Sequence, residues 1–215
     1  SYEGDVYLGI DAGSTTVKAV ILGRDGELLD SIYKSNSGNP VPIVREYLLH
    51  ILKTYPKLHI ASAAVTGYGE ELLKNAFGVD FGIVETVAHF TAAKEFLPDV
   101  DFVIDIGGQD SKVIRLDENG AVDNFVMNDK CAAGTGRFLE MMARILELDM
   151  DEMGRMGQSW KKELTISSVC TVFAESEVIS LIADNHTAQD IIHGLNLSVA
   201  GKTNALVHRV GGRPP

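Results

Sequence analysis

DIGGQDSK, residues 105–112, repeats DAGSTTVK, residues 11–18, without a gap, with Asp, Gly and Lys at the same offsets in both. Apolar, β-branched runs flank each stretch, the setting of a strand–turn–strand hairpin. In the first copy, DVYLGID (5–11) reads as a buried strand and VKAVILG (17–23) as its partner. DGELLDSIY (25–33) adds a third strand after an Asp25-Gly26 turn. In the second copy, DFVIDIGGQDSKVIRL (101–116) repeats strand, turn and strand, and GAVDNFVMND (120–129) follows a turn at Asn119-Gly120. A self-similar hairpin unit is the strongest organisational signal in the chain. It divides the chain near Pro98 into two lobes, 1–98 and 99–215.

Between the hairpins, the apolar spacing of Val44, Tyr47, Leu48, Ile51 and Leu52 predicts a helix in NPVPIVREYLLHILKTY (39–55). LHIASAAVTGYG (58–69) returns as a strand ending at Gly67 and Gly69, and VETVAHFTAAKEFL (84–97) reads as a second helix. Three helical segments follow Cys131. Their apolar faces are Phe138, Leu139, Met142, Ile145 and Leu146; then Phe173, Val178, Ile179, Leu181 and Ile182; then Ile191, Ile192, Leu195, Val199 and Leu206. Trp160 and the charges after it read as a solvated turn, and the six histidines show no ligand spacing. The fold class expected is α/β, with mixed sheets flanked by helices.

Composition narrows the function. A net charge of −11 argues against non-specific binding to nucleic acid or an anionic membrane. No apolar run is long enough to span a bilayer and no basic-then-apolar leader opens the chain, so the expectation is a cytoplasmic protein. Two cysteines, Cys131 and Cys170, are too few for a disulfide-stapled fold or for a four-ligand metal site within one chain.

A strand ending in Asp before a Gly-, Ser- and Thr-rich turn suits phosphate and Mg²⁺. The glycine admits the ligand to the backbone, N–H and hydroxyl groups meet phosphate oxygens, and the carboxylate holds the hydrated metal. One such turn is commonplace. Two in equivalent positions of a duplicated unit are expected to grip a triphosphate, its charge met by Lys18, Lys112 and the metal. A duplicated hairpin without a ligand is the bland alternative. The nucleotide-binding positions are Gly13, Ser14, Thr15, Thr16 and Lys18 in the first copy and Gly107, Gly108, Asp110 and Lys112 in the second. Asp11, Asp105 and Gln109 are the catalytic candidates, the two aspartates holding Mg²⁺ through water.

GIDAGSTTVKAVI, VTGYG, DIGGQDSKVI and MNDKCAAGTGRFLE together resemble the ATPase activators of 2-hydroxyacyl-CoA dehydratases. That group includes ATPase subunits of benzoyl-CoA reductase and is similar to the acetate kinase, sugar kinase, Hsp70 and actin superfamily. The resemblance runs from about residue 7 to 210. It implies duplicated ribonuclease H-like, actin-like ATPase lobes and an ATP-driven one-electron donor to an iron–sulfur dehydratase or reductase. It further implies a homodimer sharing one [4Fe–4S] cluster, ATP/ADP and Mg²⁺ as ligands, a ferredoxin or flavodoxin as donor, and an anaerobic setting. Gly67 gains a place at the nucleotide from it, as do Gly134, Thr135 and Gly136, which look like a turn presenting N–H groups at the start of a helix.

The cluster implied by the resemblance accords with the cysteine count, since two thiolates per chain make four in a two-fold dimer. Cys131 and Cys170 each follow an expected strand end and precede a helix, with Thr171 the expected N-cap of the second. Helix N-termini favour thiolate and an anionic cluster. Alone, each cysteine would equally be a buried small hydrophobe. Glu175 and Glu177 complement the same helix start.

Members of the group continue with a strand and a Gly-Gly turn at adenosine. This chain ends at Pro215, and Gly211-Gly212 before Arg213 does not match that turn. The expectation is therefore that the C-terminal part of the family fold is missing and adenine contacts are incomplete, as in one unit of a longer tandem polypeptide. Two other functions compete. A small-molecule kinase for a sugar or carboxylate would use Asp110 as base but has no use for cysteines at two helix starts. A non-enzymatic scaffold would keep the fold and lose the turnover.

Overall fold

The computed structural model describes residues 2–128, 132–167 and 170–212. Cys131 lies outside the described residues. The chain forms two compact units, residues 1–92 and 93–215.

In the N-terminal unit, β1 (Gly4–Ala12), β2 (Thr16–Leu22) and β3 (Leu28–Ser35) form an antiparallel meander. Helix α1 (Pro40–Thr54) then carries the chain to β4 (Leu58–Thr66), which pairs parallel to β1. Helix α2 (Glu70–Phe77) leads to the two-residue β5 (Phe81–Gly82), and the sheet order is β3-β2-β1-β4-β5. Alternation builds the core. Val6, Leu8, Ile10 and Ala12 of β1 and Val17, Ala19 and Ile21 of β2 are buried, at the period-two spacing of a half-covered sheet. Val44, Tyr47 and Ile51 of α1 pack into the same cluster. Asn39 caps α1 by accepting from the Val41 N–H at 3.1 Å, and Pro40 follows with its φ already helical. Burial beside Asp30 pushes the Tyr47 hydroxyl up out of its ordinary titration range.

Helix α3 (Glu85–Phe96) crosses the boundary. The C-terminal unit opens with β6 (Phe102–Ile106), β7 (Ser111–Leu116) and β8 (Val122–Asn128), an antiparallel sheet in that order. Then come α4 (Gly136–Ile145), α5 (Met150–Met156), α6 (Thr171–Ala183) and α7 (Ala188–Arg209). Phe138 and Met142 of α4, Met153 of α5, Ala174 and Val178 of α6, and Ile191, Ile192, Leu195 and Val199 of α7 share one buried cluster. Leu206 and Val210 pack with Val113 of β7 in a second.

Four features depart from the sequence expectation. Helices α2 and α5 are additional, each too short for its periodicity to stand out. The inward face of α6 is Ala174 and Val178, while Phe173 and Ile179 are exposed at 68% and 51%. Cys170 is itself the N-cap residue, with extended φ and ψ and no side-chain cap bond, and Thr171 is the first helical residue. The strand end expected directly before Cys170 falls at residues 168–169, outside the described residues. The Trp160 turn is more than solvated. The indole stacks on His193 at 3.8 Å between ring centres. The next two N–H groups, of Lys161 and Lys162, donate to the Asp190 carboxylate at 2.8 and 2.9 Å. Those two bonds hold the Asp190 carboxyl below its usual range.

Candidate functional site

Each unit builds its turn by the same physical route. In an antiparallel hairpin, residues directly opposite share a face and their side chains meet. The register sets Asp11 opposite Lys18 and Asp105 opposite Lys112. The repeated Asp-to-Lys spacing thereby becomes an ion pair in both units. Lys18 Nζ lies 3.0 Å from Asp11 Oδ2. Lys112 Nζ lies 3.1 Å from Asp110 Oδ2 and 3.9 Å from Asp105 Oδ2, with only 6% of its side chain exposed. Each turn thus gathers carboxylate and ammonium at the end of its first strand.

The N-terminal turn, Gly13 to Thr15, is braced from beside and from behind. Gly69 N–H donates to Ala12 O at 2.9 Å, which draws the VTGYG bend against the end of β1. Gly67 there has φ +88, and a Cβ on it would meet Ala12 O at 2.7 Å and Asp11 Oδ1 at 2.8 Å. Only glycine has both the conformation and the room. Behind the turn stands Asn36, a buried polar residue that the sequence reading passed over. Its Nδ2 donates to Gly13 O at 2.7 Å. Ser14 is exposed and Thr15 and Thr16 are half-buried.

The C-terminal turn closes on itself through Gly107 N–H donating to Asp110 O at 2.8 Å. It is joined from outside by the start of α4: Gly136 N–H donates to Gly107 O at 2.9 Å and Arg137 N–H to Gly108 O at 3.0 Å. The first two N–H groups of α4, those of Gly136 and Arg137, are therefore engaged with carbonyls of the GGQD turn. Thr135, fully buried, keeps its N–H on Ala132 O at 3.0 Å. Ser111 Oγ, also missed in the sequence, donates to Gly134 O at 3.2 Å. Lys202 of α7 lays its methylenes over Gly134 and sets its ammonium 5.2 Å from the centre of the Phe138 ring. Gln109 is exposed.

Cys170 is exposed at the start of α6. A cleft between α4 and α6 is lined by Ala132, Arg137, Met141, Arg144, Thr171 and Val172. Ala132 and Thr171 are the residues that directly follow Cys131 and Cys170 in the chain. Glu177, farther along α6, accepts from Ser167 N–H at 3.1 Å and anchors the segment before Cys170.

Residues 8–215 match the BadF/BadG/BcrA/BcrD ATPase family. The chain belongs to this family. It is 44% identical over 210 residues to the (R)-2-hydroxyglutaryl-CoA dehydratase activating ATPase of Acidaminococcus fermentans, a match covering 95% of this chain and 78% of that protein. To the 2-hydroxyisocaproyl-CoA dehydratase activator of Clostridioides difficile it is 42% identical over 205 residues, covering 95% and 76%. The solved structure of the Clostridium difficile 2-hydroxyisocaproyl-CoA dehydratase activator with bound ADPNP superposes with a TM-score of 0.87 at 42% identity, over 97% of this chain and 77% of that one. The mixed α/β fold of this family member is accordingly that of the actin-like ATPase activators. Among its described residues, no helix is long and apolar enough to cross a membrane.

Proposed function

We propose that the protein is an ATP-dependent reductive activase, coupling nucleotide hydrolysis to delivery of one electron to an iron–sulfur acyl-CoA dehydratase or related reductase. Its relatives' names supply the partner class. Two copies of the chain would hold one [4Fe–4S] cluster through Cys131 and Cys170 of each, in the reducing cytoplasm of an anaerobe and with a ferredoxin or flavodoxin as donor. The observation that carries this reading is the cleft between α4 and α6, which the residues following both cysteines line together. The donor set fits such a cluster: Cys170 is exposed, and the helix that begins behind it offers free N–H groups and partial positive charge to an anion. When bound, the cluster supplies a low-potential one-electron centre.

The chain's own residues supply the rest. Asp11 and Asp105 orient hydrated Mg²⁺, and Lys18 and Lys112 offset phosphate charge. Ser14, Thr15, Thr16, Gly108 and Asp110 would contact phosphate from their turns, and the exposed Gln109 would orient water. Gly67 keeps Asp11 accessible by bringing no side chain. Gly134, Thr135 and Gly136 act from behind the second turn. Any shift of Gly107 and Gly108 on hydrolysis is transmitted to the first turn of α4, because the Gly136 and Arg137 N–H groups are bonded to their carbonyls. A displaced α4 moves the segment next to Cys131, and this link joins turnover to the redox site.

Anaerobic reconstitution with iron and sulfide tests the reading. About four irons per dimer and an electron paramagnetic resonance signal on reduction are expected. Cys131→Ala and Cys170→Ala should each abolish the visible absorbance while the far-ultraviolet circular dichroism is kept. A full cluster in either variant would refute the ligand assignment. Iron-free protein that phosphorylates a sugar or carboxylate would establish the kinase instead.

A further inference from the structure

Asn36 lies in SNSGNP, a polar stretch that reads in sequence as an ordinary turn. In the structure it is 6% exposed, and its hydrogen-bonding groups are committed to two neighbouring segments. Its side-chain Nδ2 donates to Gly13 O at 2.7 Å and its own N–H donates to Thr15 O at 2.9 Å. On the other side, its Oδ1 accepts from Gly38 N–H at 2.8 Å and its carbonyl from Asn39 N–H at 2.8 Å. One residue therefore bridges the phosphate turn and the start of α1.

The bond to Gly13 O has a directional consequence. In a trans peptide unit the C=O and the following N–H point in opposite directions. Anchoring the Gly13 carbonyl to a buried side chain therefore turns the Ser14 N–H the other way. Ser14 is exposed, and among the described residues its N–H donates to no protein acceptor outside the regular elements. The repeat supplies an independent parallel. Gly107 stands at the position of Gly13, and its carbonyl is also held, by the Gly136 N–H at 2.9 Å. That bond orients the Gly108 N–H in the same sense. The two units secure the same carbonyl with unrelated donors.

We propose that Asn36 is a positioning residue for nucleotide binding, aiming the Ser14 N–H at a nucleotide phosphate by clamping the Gly13 carbonyl. The inference rests on the reading of residues 11–18 as a phosphate turn.

Steady-state ATPase kinetics, Mg·ATP binding and thermal melting of the full chain test it in Asn36→Asp, Asn36→Ala and Asn39→Ala. Asn36→Asp keeps the shape and the acceptor for Gly38 but loses the donor and sets a carboxylate against the Gly13 carbonyl. Losing one oriented donor to phosphate is expected to raise Kd and KM for Mg·ATP about five- to tenfold in both Asn36 variants, with kcat changed less than about twofold. Amide exchange at residues 13–16 should accelerate while that at 107–110 stays at the wild-type rate. Asn39→Ala removes the α1 cap and is the control for a purely structural effect, lowering the melting temperature and leaving KM unchanged. Wild-type KM in Asn36→Asp, or the same KM rise in Asn39→Ala, would overturn the proposal. Wild-type protein that binds no nucleotide would instead overturn the phosphate-turn reading beneath it.

Discussion

The two units answer one structural problem in different ways. Gly13 and Gly107 are equivalent in the repeat, and each exposes a carbonyl that must be tied down if the next N–H is to face a ligand. The N-terminal unit uses a side chain, Asn36 Nδ2, borne on the loop between β3 and α1. The C-terminal unit uses the backbone of a helix, Gly136 and Arg137 at the start of α4. The side-chain clamp ties the turn to the loop that leads into α1, through the bonds of Asn36 to Gly38 and Asn39. A clamp made of helix N–H groups passes displacement to the helix, and α4 is the helix that follows Cys131. The two clamps thus tie equivalent turns to different elements, α1 in one unit and α4 in the other.

The largest expected difference concerns the lysines. Lys112 is enclosed between two carboxylates, whereas the Lys18 side chain is 36% exposed beside Asp11. Lys112→Met removes a buried ammonium from between the Asp105 and Asp110 carboxylates and should cost about 3 kcal/mol in denaturant unfolding. Lys18→Met should cost less than about 1 kcal/mol. Equal losses in the two variants would break the distinction between the turns.

Next in size is the helix clamp. Gly136 is the first residue of α4, where proline suits the helix and Thr135 before it is already extended. Gly136→Pro therefore keeps α4 and deletes the N–H that holds Gly107 O. ATP-dependent reduction of the acceptor should fall about tenfold or more, while the circular dichroism of the helices is unchanged. In Gly136→Ala the new Cβ meets Gly107 O at an ordinary 3.4 Å, so activity should be retained. Coupling that survives the proline would sever the proposed link from turn to helix.

The smallest effect belongs to the C-terminal unit alone. The Asp190 carboxyl is held low by the Lys162 and Lys161 N–H groups, so its contribution is fully present above the unfolded carboxylate value of about 4. It is lost as pH falls through the lower folded value. Asn at this position removes that dependence, so melting curves of Asp190→Asn should show a shallower acid limb below pH about 4. A limb as steep as wild type would assign the acid sensitivity elsewhere.

Much of this was legible in the sequence because hairpins are local. The seven-residue Asp-to-Lys spacing, flanked by apolar runs, already carries the register that makes the ion pairs. Long periodic helices were legible for the same reason: Val44, Tyr47 and Ile51 in α1, and Ile191, Ile192 and Leu195 in α7, are all buried. Short helices were not. EELLKNAF of α2 and MDEMGRM of α5 span about two turns each, too few for a repeat to declare itself. The buried face of α6 was not legible because apolar residues occur around the whole of TVFAESEVISLIA, interleaved with Glu175, Ser176, Glu177 and Ser180, so spacing cannot choose its buried side.

By itself, then, the sequence determined the duplication, the paired Asp and Lys of each turn, the period of the long helices and the membership of an ATPase family. Those properties depend on neighbours close in the chain or on residues repeated at fixed offsets. Tertiary structure alone decided that β4 inserts beside β1, that Asn36 rather than a glycine secures the first turn, and that the Gly136 and Arg137 N–H groups hold the second. Each is a contact across more than twenty residues of chain. Asparagine and backbone amides bond wherever the fold delivers a carbonyl, and no local pattern records where that will be.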